Sequence, residues 1–390
     1  MIFFICPTIS HGPNRTQYQR ALCIAKNFKT VFLSNAPIAK EVARYAKTCK
    51  VCPGSHWHLD EFLLPFWSIW YILKYTRSYS QKGKRQIVIY TTYHSISIIT
   101  GYLLKFLGYK WIADIWDHPR LQIEINKKAK NLDGKLRYWY CIILHCLVKR
   151  ILKLADCIVL ALHPDSIAEY NINRTKIIEI TNGCDLSLMK RAENEIRKGF
   201  KESFKVIYVG HVSIERGLKL ILDACCLLQK DIPIIQFILI GECPDSARKF
   251  LGETVSKYNL TNIKLLGELD HRRVLEELNQ ADTCLFPFPD TPELRWIYPI
   301  KVFEYMFIGK PIIATDLPGI RRILRHEVDA LLFTPGNPNE LCNCIKKVYL
   351  DKRLALRLGR NAKKRVEKFD WSIVHKPVIS FLQIAAGEIE

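Results

Sequence analysis

Lys301 and Glu304 stand three residues apart at the head of YPIKVFEYMFIGKPIIATDLPG, residues 298–319. The stretch otherwise reads as a buried helix followed by a buried strand. Pro299 suits the first helical position, where its missing N–H costs nothing. Gly309, before Lys310-Pro311, ends the helix and hands the chain to strand IIAT. Lys301 therefore falls in the first turn, whose free backbone N–H groups already present positive charge. A lysine there is unfavourable unless an anion lies in front of it, and helix N-termini are ready-made phosphate sites. Glu304 follows on the same face. Like the acidic residue of dinucleotide folds, it can accept paired hydrogen bonds from a ribose diol. The pair thus suits a nucleotide diphosphate, with phosphate on Lys301 and the sugar on Glu304. The plain alternative is a surface Lys–Glu pair at helical spacing, worth roughly a few tenths of a kcal/mol. Its place beyond the carboxyl end of TCLFPF, where open α/β sheets bind ligands, favours function.

A second anion site is expected in YVGHVSIERGLKLIL (208–222). A strand ends at Gly210, a short loop follows, and a helix begins near Arg216-Gly217. His211 and Arg216 flank the loop, within reach of a phosphate at the sheet edge. A solvated basic loop is the alternative, above all for His211.

The elements that must position these residues recur along the whole chain as a compact apolar strand followed by an amphipathic stretch. In the first half the strands are IFFICPT, TVFLSN, QIVIYTTY, KWIADIW, CIVLAL and KIIEITNG; in the second, KVIYVG, IQFILIG, IKLLGEL, TCLFPF, PIIATD and ALLFTP. Helix-like segments such as RGLKLILDACCLL and PNELCNCIKKVYL lie between them. Alternating strand and helix predicts parallel sheets covered by helices on both faces. Two such series predict an α/β protein of two doubly wound Rossmann-like domains facing across a cleft. The expected domains are 1–190 and 205–368, joined by a polar linker at 191–204. Residues 369–390 (beginning with FDWSIV) are expected to cross back to the first.

The chain has 390 residues, 49% hydrophobic and 25% charged, which describes a folded globular protein. No uncharged apolar run reaches the ~18–20 residues that span a bilayer. MIFFICPTIS lacks the basic start and cleavage site of a secretory signal and reads as a first buried strand, so a cytoplasmic location is expected. The 14 cysteines are scattered, and Cys157, Cys225, Cys226 and Cys284 lie inside apolar runs, as small buried hydrophobes of a reducing compartment do. The net charge of +20 is uneven: residues 1–191 carry 28 Lys and Arg against 12 Asp and Glu, the remainder 30 against 26. The basic half is expected to meet an anionic surface or polymer. FLLPFWSIWYIL (62–73) is aromatic but too short to span, and GKLRYWYCIILHCLVKRILK (134–153) mixes bulky apolar residues with Lys135, Arg137, Lys149, Arg150 and Lys153. Such helices lie in a membrane interface; the alternative, an ordinary helix covering a sheet, weighs more for the second. Cys49, Cys52, His56 and His58 could share one zinc, but the spacing is cramped and no metal is expected.

The order VGHVSIERG, FILIGECP, LLGEL, ADTCLFPF and PIKVFEYMFIGKPIIATDLPG resembles the C-terminal domain of retaining family 4 glycosyltransferases, which have the GT-B fold. ADCIVLAL…KIIEITNGCD and the FDWSIV tail are similar to that family as well. The resemblance is strong over the second domain and weak over the first. It implies that His211 and Arg216 take the positions of an Arg and a Lys that contact the donor diphosphate, together with Lys301. It implies that Glu304 is the second Glu of the family's Glu-x7-Glu signature, on the ribose. The first Glu, which touches the donor sugar, maps to Trp296, a departure that matches the family's PxKxxEY branch. Asp290 or Glu293 would then supply a carboxylate from the loop that runs through Tyr298, Pro299 and Ile300 beside the donor sugar. The base would be read through backbone near Leu266 and Gly267.

In the first domain, KWIADIWDHPRL places Asp114, Asp117 and His118 near a strand end. The resemblance makes Asp117 and His118 the candidates for touching the donor sugar or the acceptor hydroxyl; a helix cap is the alternative for Asp117. No enzymic nucleophile or base is implied, since the leaving phosphate helps to deprotonate the acceptor while positive groups stabilise the departing diphosphate. HGPNRTQYQRAL (11–22) reads as the first strand-to-helix loop, with Gly12 letting backbone approach the cleft. The absence of GxGxxG there argues against a dehydrogenase.

These readings imply an enzyme that moves a sugar from a nucleotide-diphosphate sugar to a glycan or lipid-linked acceptor, without a metal or other cofactor. It would sit peripherally at the inner face of an anionic membrane, in cell-surface polysaccharide or glycolipid synthesis. Two other readings compete. One is a nucleotide-binding relative without turnover, for which Trp296 is the argument. The other is a basic nucleic-acid-binding protein, suggested by charge alone and lacking any reader motif; nucleic acid is not an expected partner.

Overall fold

The computed structural model describes residues 1–6, 16–34, 38–50, 57–77, 86–92, 95–117, 120, 123, 132–193 and 203–387. They form two units, Met1–Asn182 with Trp371–Glu390, and Gly183–Asp370. In the first unit, strands β1 (Ile2–Ile5), β2 (Thr30–Ser34), β3 (Lys47–Lys50), β4 (Val88–Thr92), β5 (Lys110–Ile115), β6 (Cys157–Leu160) and β7 (Ile177–Glu179) make one sheet. Its order is β3-β2-β1-β4-β5-β6-β7, and every pairing is parallel. Helices α1 (Thr16–Asn27), α2 (Lys40–Ala43), α3 (Trp57–Tyr75), α4 (Ser95–Phe106) and α5 (Leu132–Ile151) accompany it. Strands β1, β2 and β4 are buried along their whole length, as parallel strands covered on both faces must be. That burial is why they read as unbroken apolar runs rather than as alternating ones.

The second unit holds β8 (Phe204–Val209), β9 (Ile235–Ile240), β10 (Ile263–Gly267), β11 (Thr283–Phe286), β12 (Ile312–Thr315) and β13 (Leu331–Phe333). The order is β10-β9-β8-β11-β12-β13, again all parallel. Its helices are α6 (Leu186–Glu193), α7 (Leu218–Asp231), α8 (Asp245–Tyr258), α9 (His271–Gln280), α10 (Ile300–Ile308), α11 (Pro318–Ile323), α12 (Pro338–Leu350) and α13 (Lys352–Val366). After them, α14 (Trp371–Val374) and α15 (Lys376–Ala386) belong to the first unit. There the Lys110 ammonium of β5 donates to the Ala385 carbonyl at 2.6 Å. In each sheet the strand order reverses beside its first strand, between β1 and β4 and between β8 and β11. Such a reversal leaves a crevice at the carboxyl ends of the strands, where ligands bind in open α/β folds.

The division between units falls after Asn182, not after residue 190. The reason is local. Cys184 N–H donates to the Phe369 carbonyl at 3.0 Å, and Cys184 and Asp370 bridge in parallel. The Leu186 N–H of α6 also donates to the Asp370 carboxylate at 3.3 Å, so residues 183–193 are fastened to the second unit. The expected linker 191–204 is accordingly shorter at both ends: residues 191–193 close α6, and Phe204 opens β8. Of the cysteines read as buried, Cys157, Cys225 and Cys284 are buried and Cys226 is half-buried.

The core of the first unit contains one charged pair that packing alone does not explain. Asp114 is fully buried in β5. Its Oδ1 accepts from the buried Arg20 guanidinium of α1 at 2.8 Å, and its Oδ2 from the Tyr90 hydroxyl of β4 at 2.8 Å. Burial pushes the Asp114 carboxyl above its usual range, and Arg20 and Tyr90 bring it only part of the way back. This carboxylate pins α1 to the sheet next to the reversal point. Removing one partner of a buried pair leaves the other charge uncompensated. Asp114→Ala is therefore expected to lower the unfolding free energy in urea by about 3–5 kcal/mol. A loss under about 1 kcal/mol, the range of exposed pairs, would show that the pair is not structural.

Candidate functional site

The carboxyl ends of β8 and β11 flank the reversal in the second sheet, and each feeds a loop into a helix. After β8, Gly210 has φ +154° and Gly217 has φ +93°, with the short turn Ile214–Arg216 between them. Gly217 caps α7 in the left-handed region, and a Cβ there would lie 2.2 Å from the Pro287 carbonyl oxygen. Only glycine allows the start of α7 to press this closely on the segment after β11. The Arg216 guanidinium lies over the Phe288 ring, 4.8 Å from its centroid. His211 is half-exposed, with Nδ1 3.4 Å from Glu242 Oε2.

After β11, residues 290–298 turn tightly and then enter α10. Pro299 is the residue before the helix, with φ −72° and ψ 126°, and α10 begins at Ile300. The expected first helical position thus belongs to Ile300, and Pro299, held in extended geometry, serves as the cap. Gly309 closes the helix at φ +73°. Val302 through Ile308 are all buried, which accounts for the unbroken apolar run. Tyr305 fixes the helix to the sheet: its hydroxyl accepts the Val209 N–H at 2.8 Å, at the end of β8. Pairing of β11 with β8 is confined to Thr283–Val206 and Cys284–Ile207, so beyond it a side chain satisfies the strand's outer edge.

Glu304 is 2% exposed. Its Oε2 accepts from the Lys301 ammonium at 3.0 Å. Its Oε1 stands 3.4 Å from Nε2 of His271 at the start of α9, and among the described residues it has no hydrogen-bond partner. Burial alone would push this carboxyl up, but His271 and Lys301 outweigh it and hold the pKa below the ordinary glutamate value. The site therefore keeps a buried, ionised carboxylate with one oxygen open as an acceptor. Lys301 is about one-third exposed and sits in the first turn, where its ammonium and the free amides can meet an anion. A surface Lys–Glu pair does not describe this geometry, since the carboxylate is fully withdrawn from solvent.

His271 is the participant that sequence reading missed. Its signal was present in LLGELDH, where a titratable residue opens a helix just past the carboxyl end of β10, capped by Asp270 accepting from Arg273 N–H at 3.0 Å. Gly267 ends β10 at φ +73°, and its carbonyl accepts the Gly241 N–H at 2.7 Å; Leu266 beside it is half-buried. Asp290 is ion-paired with Arg295 at 3.1 Å, and Arg295 in turn covers Trp296, 5.1 Å from a ring centroid. Glu293, Pro299 and Ile300 are half-buried and Tyr298 is buried. In the first unit, Asp117 is exposed in a bend just beyond β5, while Asp114, expected beside it, is the structural carboxylate described above. Gly12, His118, Cys52 and His56 lie outside the described residues, as do the side chains of Cys49 and His58. Among the described residues no three His, Cys, Asp or Glu are grouped to hold a metal ion.

Residues 190–365 match the family model of glycosyl transferases group 1, which covers α10, its Lys301–Glu304 pair and both loops. Over 250 residues the chain is 24% identical to a putative teichuronic acid biosynthesis glycosyltransferase of Bacillus subtilis, covering 63% of this chain and 59% of that one. Over 213 residues it is 22% identical to a phosphatidyl-myo-inositol mannosyltransferase of Mycolicibacterium smegmatis, covering 54% and 52%. The match thus spans just over half the length of these curated relatives. Among solved structures, Anabaena HepE in complex with UDP superposes with a TM-score of 0.71 at 16% identity, over 98% of this chain and 99% of that one. The fold is GT-B, built from two Rossmann-like units.

The depressed Glu304 pKa makes a prediction about acid stability. The unfolded chain binds a proton near the ordinary value of 4.5, while the folded carboxyl does so at lower pH. The ionised site therefore contributes stability above that value and loses it as pH falls through the folded pKa. Urea midpoints measured between roughly pH 5 and pH 3 should fall less for Glu304→Gln than for the native protein. Parallel acid limbs would mean that the folded carboxyl titrates as in the unfolded chain, without the depressed pKa.

Proposed function

We propose that this chain is a retaining glycosyltransferase, moving a hexose from a nucleotide-diphosphate sugar to a glycan or lipid-linked acceptor at the inner face of the membrane. Its place would be in cell-surface polysaccharide or glycolipid synthesis. The observation that carries this reading is the open Oε1 of the buried, ionised Glu304 at the carboxyl edge of the reversal. A ribose diol supplies two O–H donors of the kind this acceptor lacks. The group 1 domain over residues 190–365 supports the same assignment, and the UDP bound to HepE supports the donor class. The relatives named for teichuronic acid biosynthesis and phosphatidyl-myo-inositol mannosylation support the acceptor class.

In this reading, Lys301, Arg216 and the amides at the start of α10 hold the diphosphate, with His211 at the loop edge. Leu266 and Gly267 present backbone to the base, and the loop through Asp290, Glu293, Tyr298, Pro299 and Ile300 borders the donor sugar. Asp117 and His118 are the residues assigned to the sugar or the acceptor hydroxyl. The bond from the anomeric carbon to the diphosphate oxygen breaks, and the acceptor oxygen joins that carbon on the same face. The acceptor proton passes to the departing phosphate. Charge developing on the leaving group is met by Lys301 and Arg216, preorganised before reaction, so no metal is required.

A second reading, nucleotide binding without turnover, has one observation in its favour. Trp296 stands where a sugar-binding carboxylate is expected, and the nearby Asp290 is already committed to Arg295. Release of free hexose or of transferred product from a stabilising nucleotide sugar would dismiss it.

A thermal-shift screen over uridine, guanosine and adenosine diphosphates and their hexose derivatives tests the main reading. One nucleotide family should raise Tm by several degrees, since ligand at roughly 100 times its Kd stabilises by about 2.7 kcal/mol. Glu304→Ala should abolish that shift. A shift retained in the variant would remove the ribose contact, and the absence of any shift in the native protein would remove the donor class.

A further inference from the structure

We infer that α3, α4 and α5 of the first unit form a docking surface for an anionic lipid bilayer. The inference deepens the membrane-facing part of the reading above and rests on it. In an ordinary surface helix the large apolar residues point inward and the polar ones outward. Here that order fails on three neighbouring helices. In α3, Leu64, Ser68 and Ile72 form the buried seam, while Phe66 is 72% exposed and Trp70 is exposed beside it. In α4, Ile98 and Leu104 are buried and Phe106 is 70% exposed. In α5, Val148 and Ile151 are buried near the end, while Trp139 is 62% and Ile143 66% exposed. Helix α4 packs against both α3 and α5, so the outward apolar residues belong to adjoining surfaces. The longer segment 134–153, for which an ordinary sheet-covering helix was the weightier alternative, thus exposes large apolar residues and keeps its buried ones near its end.

Charge identifies the occupant. Residues 62–113, spanning most of α3 and all of α4, contain no Asp or Glu and seven Lys and Arg. Lys74 and Arg77 are exposed at the end of α3, and Lys135, Arg150 and Lys153 are exposed along and just beyond α5. The Lys74 ammonium lies 4.8 Å from the Trp70 ring centroid, the adjacency of aromatic ring and basic group found at membrane interfaces. A second copy of this chain is a poor occupant, because a two-fold interface would lay this predominantly basic surface on itself. A bilayer with acidic headgroups satisfies both components. It buries the Phe, Trp and Ile side chains at the acyl boundary and attracts each basic residue by about 1 kcal/mol. Among the described residues no helix is long and apolar enough to cross a membrane, so the contact is one of lying on the surface.

The test is co-sedimentation of the full chain with vesicles of phosphatidylcholine alone or mixed with phosphatidylglycerol. The native protein should pellet with the mixed vesicles and stay in solution with the neutral ones. Phe106→Glu combined with Trp139→Glu should reduce the bound fraction at least tenfold, and Lys135→Glu combined with Arg150→Glu should reduce it severalfold. Both variants should keep the native nucleotide-induced Tm shift, which reads the second unit and shows that the chain is folded. Three results would overturn the inference: no binding by the native protein, binding of both variants equal to native, or a native dimer in sedimentation velocity that the apolar substitutions dissolve. Absence of vesicle binding by the native protein, with its nucleotide shift intact, refutes this surface and leaves the enzyme reading standing. Vesicle binding without any nucleotide shift does the reverse.

Discussion

A carboxylate buried at the reversal point of the second sheet and kept ionised by Lys301 and His271 is the interaction around which this unit is arranged. Isolated, a buried charge of this kind would be neutralised by protonation. Glu304 escapes that outcome because Lys301 reaches it from the preceding turn and His271 from a separate helix. The arrangement sets positional demands on everything nearby. Helix α10 must start immediately at Ile300, α9 must begin at the edge of β10, and the end of β8 must be anchored by Tyr305. A shift of one residue along α10 would rotate the carboxylate by about 100°, away from both partners.

The glycines show how tightly the rest is drawn in around this centre. Gly217 is needed where α7 starts against Pro287. Gly359 of α13 is needed on the other side of α10, since a Cβ there would lie 2.1 Å from the Gly309 carbonyl oxygen. Both are places where helix and loop backbone approach closer than any side chain permits. The first unit uses a different device at its own reversal. Its buried Asp114 is fully satisfied by Arg20 and Tyr90 and has no open acceptor. The two buried carboxylates, one on strand β5 and one on helix α10, thus take opposite roles, and the difference lies in whether the second oxygen has a donor.

Much of this was legible in the sequence because parallel strands buried on both faces read as plain apolar runs. All six strands of the second unit, and six of the first, stand where such runs occur. The exception, β3, is KTCK: among the described residues an edge strand pairing only with β2, too polar to register by its pattern. The unit boundary was misplaced for a related reason. TNGCDLSLM looks like a strand end and a helix start, and nothing local reveals that Cys184 and Leu186 are held by Phe369 and Asp370, far along the chain. Lys301 and Glu304 could be read together because helical spacing makes them neighbours. His271 lies on another helix and becomes their neighbour only through the packing of α9 against α10. The outward-facing aromatics of α3 and α5 were visible as composition, but which side they face is settled only by the neighbouring helices.

The central claim is that the open Glu304 oxygen receives a ribose hydroxyl. Titration calorimetry can compare the best-binding nucleoside diphosphate with its 2′,3′-dideoxy analogue on the native protein. A charge-assisted hydrogen bond is worth about 1.5–3 kcal/mol, so the diol should bind roughly 10- to 150-fold more tightly. Equal affinities for the two nucleotides would contradict the account.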